Sequence, residues 1–153
     1  MDGIIYLRYT KELSAMLSGT YFNKIDEKGR LRLPAELRKD MGELLFITRG
    51  PKNSHLILHT EKNLEKLKAM ADKISVFSTN VPLNSVFGNG QEIACDSQGR
   101  ILIPAQFRKF FPGGDVAIVG SYNKLELWEQ SKWEAESDIE IPQEAYDALS
   151  QML

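Results

Sequence analysis

The chain has 153 residues, 42% hydrophobic and 26% charged, the proportions of a globular protein long enough to bury a sizeable core. No apolar run nears the ~20 residues that span a bilayer, no basic-then-apolar leader is present, and the single Cys95 excludes an internal disulfide framework, so a cytoplasmic protein is expected. The net charge of −2 argues against a nucleic-acid partner only until it is partitioned: residues 126–153 hold eight acidic groups against Lys132, a net −7, leaving +5 on the preceding 125 residues.

Residues 1–18 read as an N-terminal extension; Ile4 to Leu7 suits a strand or an upstream extension, and residues 1–15 are given no function. Residues 19–25 form a strand leading into Asp26-Glu27-Lys28-Gly29-Arg30. An Asx turn former three residues before a glycine reverses the chain tightly. Leu31 and Leu33 then alternate as a short strand, and Pro34-Ala35 starts a helix to about Met41, stopped by Gly42. Within 24–39, six bases face three acids.

Leu44-Leu45-Phe46-Ile47 is a buried strand, and a turn at Gly50 to Asn53 leads to a strand over 55–59. Thr60 caps a helix through Lys73, with Leu64, Leu67, Met70 and Ala71 at helical spacing. Residues 75–91 form an uncharged connector; its Val76, Phe77, Val81, Leu83, Val86 and Phe87 are too apolar for a free linker and should pack on the domain or on a neighbouring subunit.

The second half, 92–137, repeats the first, 19–74. Cys95 to Lys109 matches Ile25 to Lys39 at an offset of 70 with seven of fifteen positions identical, where composition alone gives about one. Asp96, Gly99 and Arg100 stand for Asp26, Gly29 and Arg30, whereas Lys28 and Arg32 become Gln98 and Leu102. Val116 to Val119, then Lys124 to Trp128, then a helix containing Trp133 complete the copy. An acidic tail, 138–153, carries a short amphipathic helix from Pro142 with Ala145, Leu149 and Met152 on one side.

The doubled Asp-x-x-Gly-Arg, each followed by a strand and Pro-Ala, resembles the MraZ family of bacterial transcriptional regulators, within the AbrB-like swapped-hairpin barrels. The likeness covers roughly residues 16–135, and Met16-Leu17-Ser18-Gly19 is similar to the way such chains begin. The fold expected is a β-rich α+β domain in which two β-turn-β-α-β-β half-units interlock about a pseudo-twofold axis into one barrel, with helices outside. The resemblance implies a nucleoid-associated, sequence-specific DNA-binding regulator at the promoter of the division and cell-wall gene cluster. It also implies a ring of identical subunits. Relatives commonly have arginines in the connector; this chain has none there.

In physical terms, the pseudo-twofold brings both turns to one side of the barrel, so Arg30 and Arg100 emerge as a related pair able to read guanine or fork onto phosphate. Lys24, Lys28 and Arg32 are the candidate phosphate contacts, and Asp26, Gly29, Asp96 and Gly99 hold the turns. Double-stranded DNA with direct repeats is the expected partner, with no cofactor, metal, membrane or small-molecule substrate. A structural reading also stands: the Asp–Arg pairs only brace their turns, and the protein is a ring-forming interaction module. Arg38 and Arg108 lie behind the turns and are weighed slightly towards internal pairing.

Other constellations carry less. His55 and His59 lie in a strand, where residues four apart are over ~13 Å distant, and no third metal ligand accompanies them. Asp26 and Asp96 are each followed by an arginine that keeps them ionised, which rules out general-acid work. Gly88-Asn89-Gly90 is a turn, and Trp128 and Trp133 are packing residues.

Overall fold

The computed structural model describes residues 16–77, 83–138 and 140–152; the expected strand at Ile4 to Leu7 lies outside them. Strand β1 (Thr20–Lys24) runs through the first turn into β2 (Arg30–Arg32). Helix α1 (Ala35–Arg38) is a single turn, shorter than the run to Met41 that the sequence suggests. The chain winds on in tighter steps, with the Asp40 amide donating to Leu37 and the Met41 amide to Arg38. Those steps deliver Met41 into the core before Gly42 turns away with φ +78°.

Strand β3 (Leu44–Arg49), a 3-10 turn (Pro51–Asn53) and β4 (Leu56–His59) make a hairpin. Helix α2 (Glu61–Phe77) follows, and the Thr60 hydroxyl caps it by accepting the Asn63 amide at 3.0 Å. This helix runs beyond Lys73 to Phe77, so the connector expected from residue 75 begins inside it. Ile74, Ser75 and Val76 include no glycine or proline to stop a helix. Helix α3 (Leu83–Phe87) brings Phe87 against Phe46 of β3, ring centroids 5.9 Å apart, so this part of the connector packs on the domain.

Strands β5 (Gln91–Ala94) and β6 (Arg100–Leu102) repeat the opening, followed by a 3-10 helix (Ala105–Phe110) where the first copy has α1. Strands β7 (Asp115–Gly120) and β8 (Lys124–Glu129), then helices α4 (Gln130–Glu136) and α5 (Gln143–Met152), complete the chain.

Six strands join in the order β1-β7-β8-β4-β3-β5, every pairing antiparallel, while β2 and β6 form a separate ribbon. The opening strand of each half lies on the other half: β1 beside β7, with Tyr21 opposite Ile118, and β5 beside β3, with Leu45 opposite Ile93. Strands β4 and β8 meet in the middle of the sheet, pairing Leu56 with Leu127 and Leu58 with Leu125. Leu31, Leu33, Ile101 and Ile103 drop from the ribbon region into a core shared with Leu45, Ile47, Leu56, Leu58, Val116, Ile118, Leu125 and Leu127. Burying each such side chain contributes roughly 1.5–3 kcal/mol, so both halves depend on one core. The molecule is thus an α+β protein with an antiparallel sheet.

Candidate nucleic-acid interface

Each motif turn is closed by one carboxylate. Asp26 Oδ1 accepts the backbone amides of Lys28 and Arg30, and Oδ2 accepts Arg30 Nε, all at 2.9 Å. Asp96 does the same for the amides of Gln98 and Arg100 and for Arg100 Nε, again at 2.9 Å. The Arg30 amide is the first cause holding the Asp26 carboxyl below its ordinary range, reinforced by the Arg30 guanidinium and the Lys28 amide. Asp96 is lowered by the equivalent groups, its Arg100 amide first. Gly29 and Gly99 sit at φ +83° and +79°, a region that glycine enters without strain.

The carboxylate grips each arginine by Nε alone. Among the described residues no acceptor meets the terminal Nη groups of Arg30 or Arg100, so both terminal nitrogens of each planar fork, with their four N–H donors, stay available. Their side chains are about one-third and one-quarter exposed. A guanidinium held at its root and open at its tip has already lost much of its rotamer freedom, which lowers the entropy cost of binding an anion or a base edge.

The two strands that carry these arginines pair with each other, Arg30 opposite Leu102, Leu31 opposite Ile101 and Arg32 opposite Arg100. Alternation sends Leu31 and Ile101 fully into the core and turns Arg30, Arg32, Arg100 and Leu102 outward. The turns therefore lie at opposite ends of the antiparallel ribbon, while their arginines share its outer face. Cross-bonds lock the halves: Leu33 N donates to Gly99 O at 2.8 Å and Ile103 N to Gly29 O at 2.9 Å.

Arg38 and Arg108 cross to the opposite half. The Arg108 guanidinium lies where a Cβ on Gly29 would sit, and Arg38 occupies the same place at Gly99. Arg108 Nε also donates to Ile103 O at 3.0 Å. Each turn glycine thus answers two demands, positive φ and room for a guanidinium. Sequence reasoning did not find this packing, although the identity of Arg38 and Arg108 at the same step of both copies was its signal.

The remaining candidates are distributed unequally. Lys28 lies exposed on the first turn, where the second copy has Gln98. Lys24 ends β1 in an exposed ion pair with Asp115, 3.7 Å away, so its charge arrives with a carboxylate beside it. The exposure of Leu102 among the arginines was legible only as a loss of charge relative to Arg32.

The histidines are buried by different neighbours. His55 stacks on Trp128 with centroids 4.2 Å apart, and its Nδ1 meets Ser54 Oγ at 2.7 Å. His59 Nδ1 accepts from Asn63 Nδ2 at 3.0 Å while Nε2 meets Thr48 Oγ1 at 3.2 Å, a pattern that suits a neutral ring. Burial, with Lys124 adding to it, pushes His59 down to about 4. Among the described residues no group of three or more His, Cys, Asp or Glu is placed to hold a metal, and no helix is long and apolar enough to cross a membrane.

The chain matches the family model for MraZ protein (antitoxin-like) twice, over residues 16–80 and 86–148. A protein of Finegoldia magna named transcriptional regulator MraZ is 37% identical over 134 residues, covering 80% of this chain and 87% of its own. Proteins of the same name from Nocardioides sp. and Heliobacterium modesticaldum are 34% and 32% identical, over 75% and 90% of this chain and 81% and 96% of their own.

Proposed function

The chain belongs to the MraZ family of transcriptional regulators, and we propose that it acts by laying the outer face of the β2/β6 ribbon against duplex DNA. One observation carries this reading: Arg30, Arg32 and Arg100, drawn from both halves, share one face of a two-stranded ribbon. The major groove, ~12 Å wide, admits such a ribbon, and arginine forks onto guanine O6 and N7 or onto phosphate. Arg30 and Arg100 are the base readers in this scheme, already oriented by Asp26 and Asp96. Lys24, Lys28 and Arg32 set the register through phosphates. Gly29 and Gly99 let the turns close behind them.

The exchange of β1 and β5 between halves supports an AbrB-like swapped-hairpin barrel within one chain. Because the two halves use their twofold internally, the subunit has none left to impose a palindrome. A ring of identical subunits repeats the ribbon face in one orientation, so the DNA partner is a set of direct repeats, spaced about 10 base pairs apart to stay on one face. Tethering then raises affinity by ~10²-fold or more from one repeat to several. The proposed setting is the nucleoid of a bacterial cytoplasm, at the promoter of the division and cell-wall gene cluster.

The rival reading is a ring-forming interaction module in which the arginines are internal struts, and the Asp–Arg bonds favour it to that extent. The two readings separate in one experiment. If the ribbon reads bases, Arg30→Ala or Arg100→Ala should cost about 1–3 kcal/mol of DNA binding and relax discrimination at one base position. Full DNA binding with lowered thermal stability in those variants would identify struts instead.

A further inference from the structure

Leu102 is the odd member of the ribbon's outer face. Its strand neighbours Ile101 and Ile103 are fully buried, whereas Leu102 is 52% exposed. It lies directly across from Arg30 and shares its side of β6 with Arg100. The matching position of the first half holds Arg32.

A lone leucine in water is ordinary on a protein surface. This one shares the ribbon's outer face with Arg30, Arg32 and Arg100, in a place where a phosphate contact would call for a donor. Leucine offers none. The apolar group that the major groove displays is the C5-methyl of thymine, at the same depth as the acceptors that arginine reads.

We propose that Leu102 is a specificity-determining residue that packs on the C5-methyl group of a thymine beside the base engaged by Arg30. The proposal rests on the reading that the ribbon face enters the major groove. It gives the duplication a consequence: the first half contributes charge at this step and the second contributes a methyl contact, so each subunit reads its DNA element with a direction.

The test uses the full chain and a duplex recovered by binding from a random-sequence pool. The duplex is rebuilt with each thymine in turn replaced by deoxyuridine, which removes the methyl group and keeps the pairing edge. At one thymine per bound element the swap should weaken wild-type binding about fourfold, the worth of one buried methyl group. Leu102→Ala, which trims a half-exposed side chain and leaves the buried Ile101 and Ile103 in place, should bind both duplexes alike. Leu102→Arg should also ignore the swap and should steepen the salt dependence by about 0.9 per subunit. Wild-type indifference to uracil at every position, or sensitivity retained in Leu102→Ala, overturns the proposal and leaves ribbon binding standing. Recovery of no duplex from the pool removes the underlying reading and the proposal with it.

Discussion

The two halves of the chain agree where the backbone must be satisfied and differ where solvent is met. Both turns are closed by an aspartate with the same three hydrogen bonds, each 2.9 Å long. Both strands bury one central apolar residue, Leu31 or Ile101. Yet Lys28 has become Gln98, Arg32 has become Leu102, and the 17-residue helix after β4 has a 7-residue counterpart after β8. The turn tolerates little because an amide left without a partner is costly, whereas an outward side chain adjusts freely. Divergence between the copies is therefore concentrated at outward positions and in the helices that follow the hairpins.

The strongest test of equivalence lies in the core. Leu31→Ala and Ile101→Ala should each cost about 2–5 kcal/mol of unfolding free energy, and similar amounts, because each removes a fully buried side chain from the same shared interior. Chemical denaturation measures both. A loss confined to one variant would mean that the halves fold on separate cores.

A second difference is confined to the first half. At the hairpin position where β4 has His59, β8 has Trp128, so only one copy contains a buried neutral imidazole there. The His59 pKa is about 4 in the folded protein against 6.5 for the free side chain, so between those values the unfolded state binds more protons. Its contribution is complete above about 6.5 and is lost as the pH falls towards 4, a change on the order of 3 kcal/mol over the window. Denaturation midpoints across that range should fall for the wild type and fall less steeply in His59→Gln, where the slope from His55, whose pKa burial also lowers, remains. An unchanged slope in the variant would assign the acid sensitivity elsewhere.

The smallest effect concerns the turn tips. Lys28→Ala should weaken binding to every DNA sequence alike and reduce the slope of log affinity against log salt by about 0.9 per contact, while Gln98→Ala should leave the slope unchanged. Equal slopes for both variants would erase the electrostatic difference between the copies.

The sequence by itself determined the duplication, the two Asp-x-x-Gly-Arg turns, the alternating strands after them and the asymmetry at Lys28/Gln98 and Arg32/Leu102. These features are legible because each needs only a few consecutive residues: an aspartate within reach of nearby amides, a glycine at positive φ, an apolar residue every second position. It misjudged the length of α1 and the end of α2, where core packing at Met41 and the lack of a breaker after Lys73 decide the boundary. Only the tertiary structure decided that β1 pairs with β7 and β5 with β3, that Arg38 and Arg108 each pack on the other half's glycine, and that Leu102 stands among arginines. Those contacts join residues far apart in the chain, and the choice among partners rests on the shared core and the registers it permits rather than on any local preference.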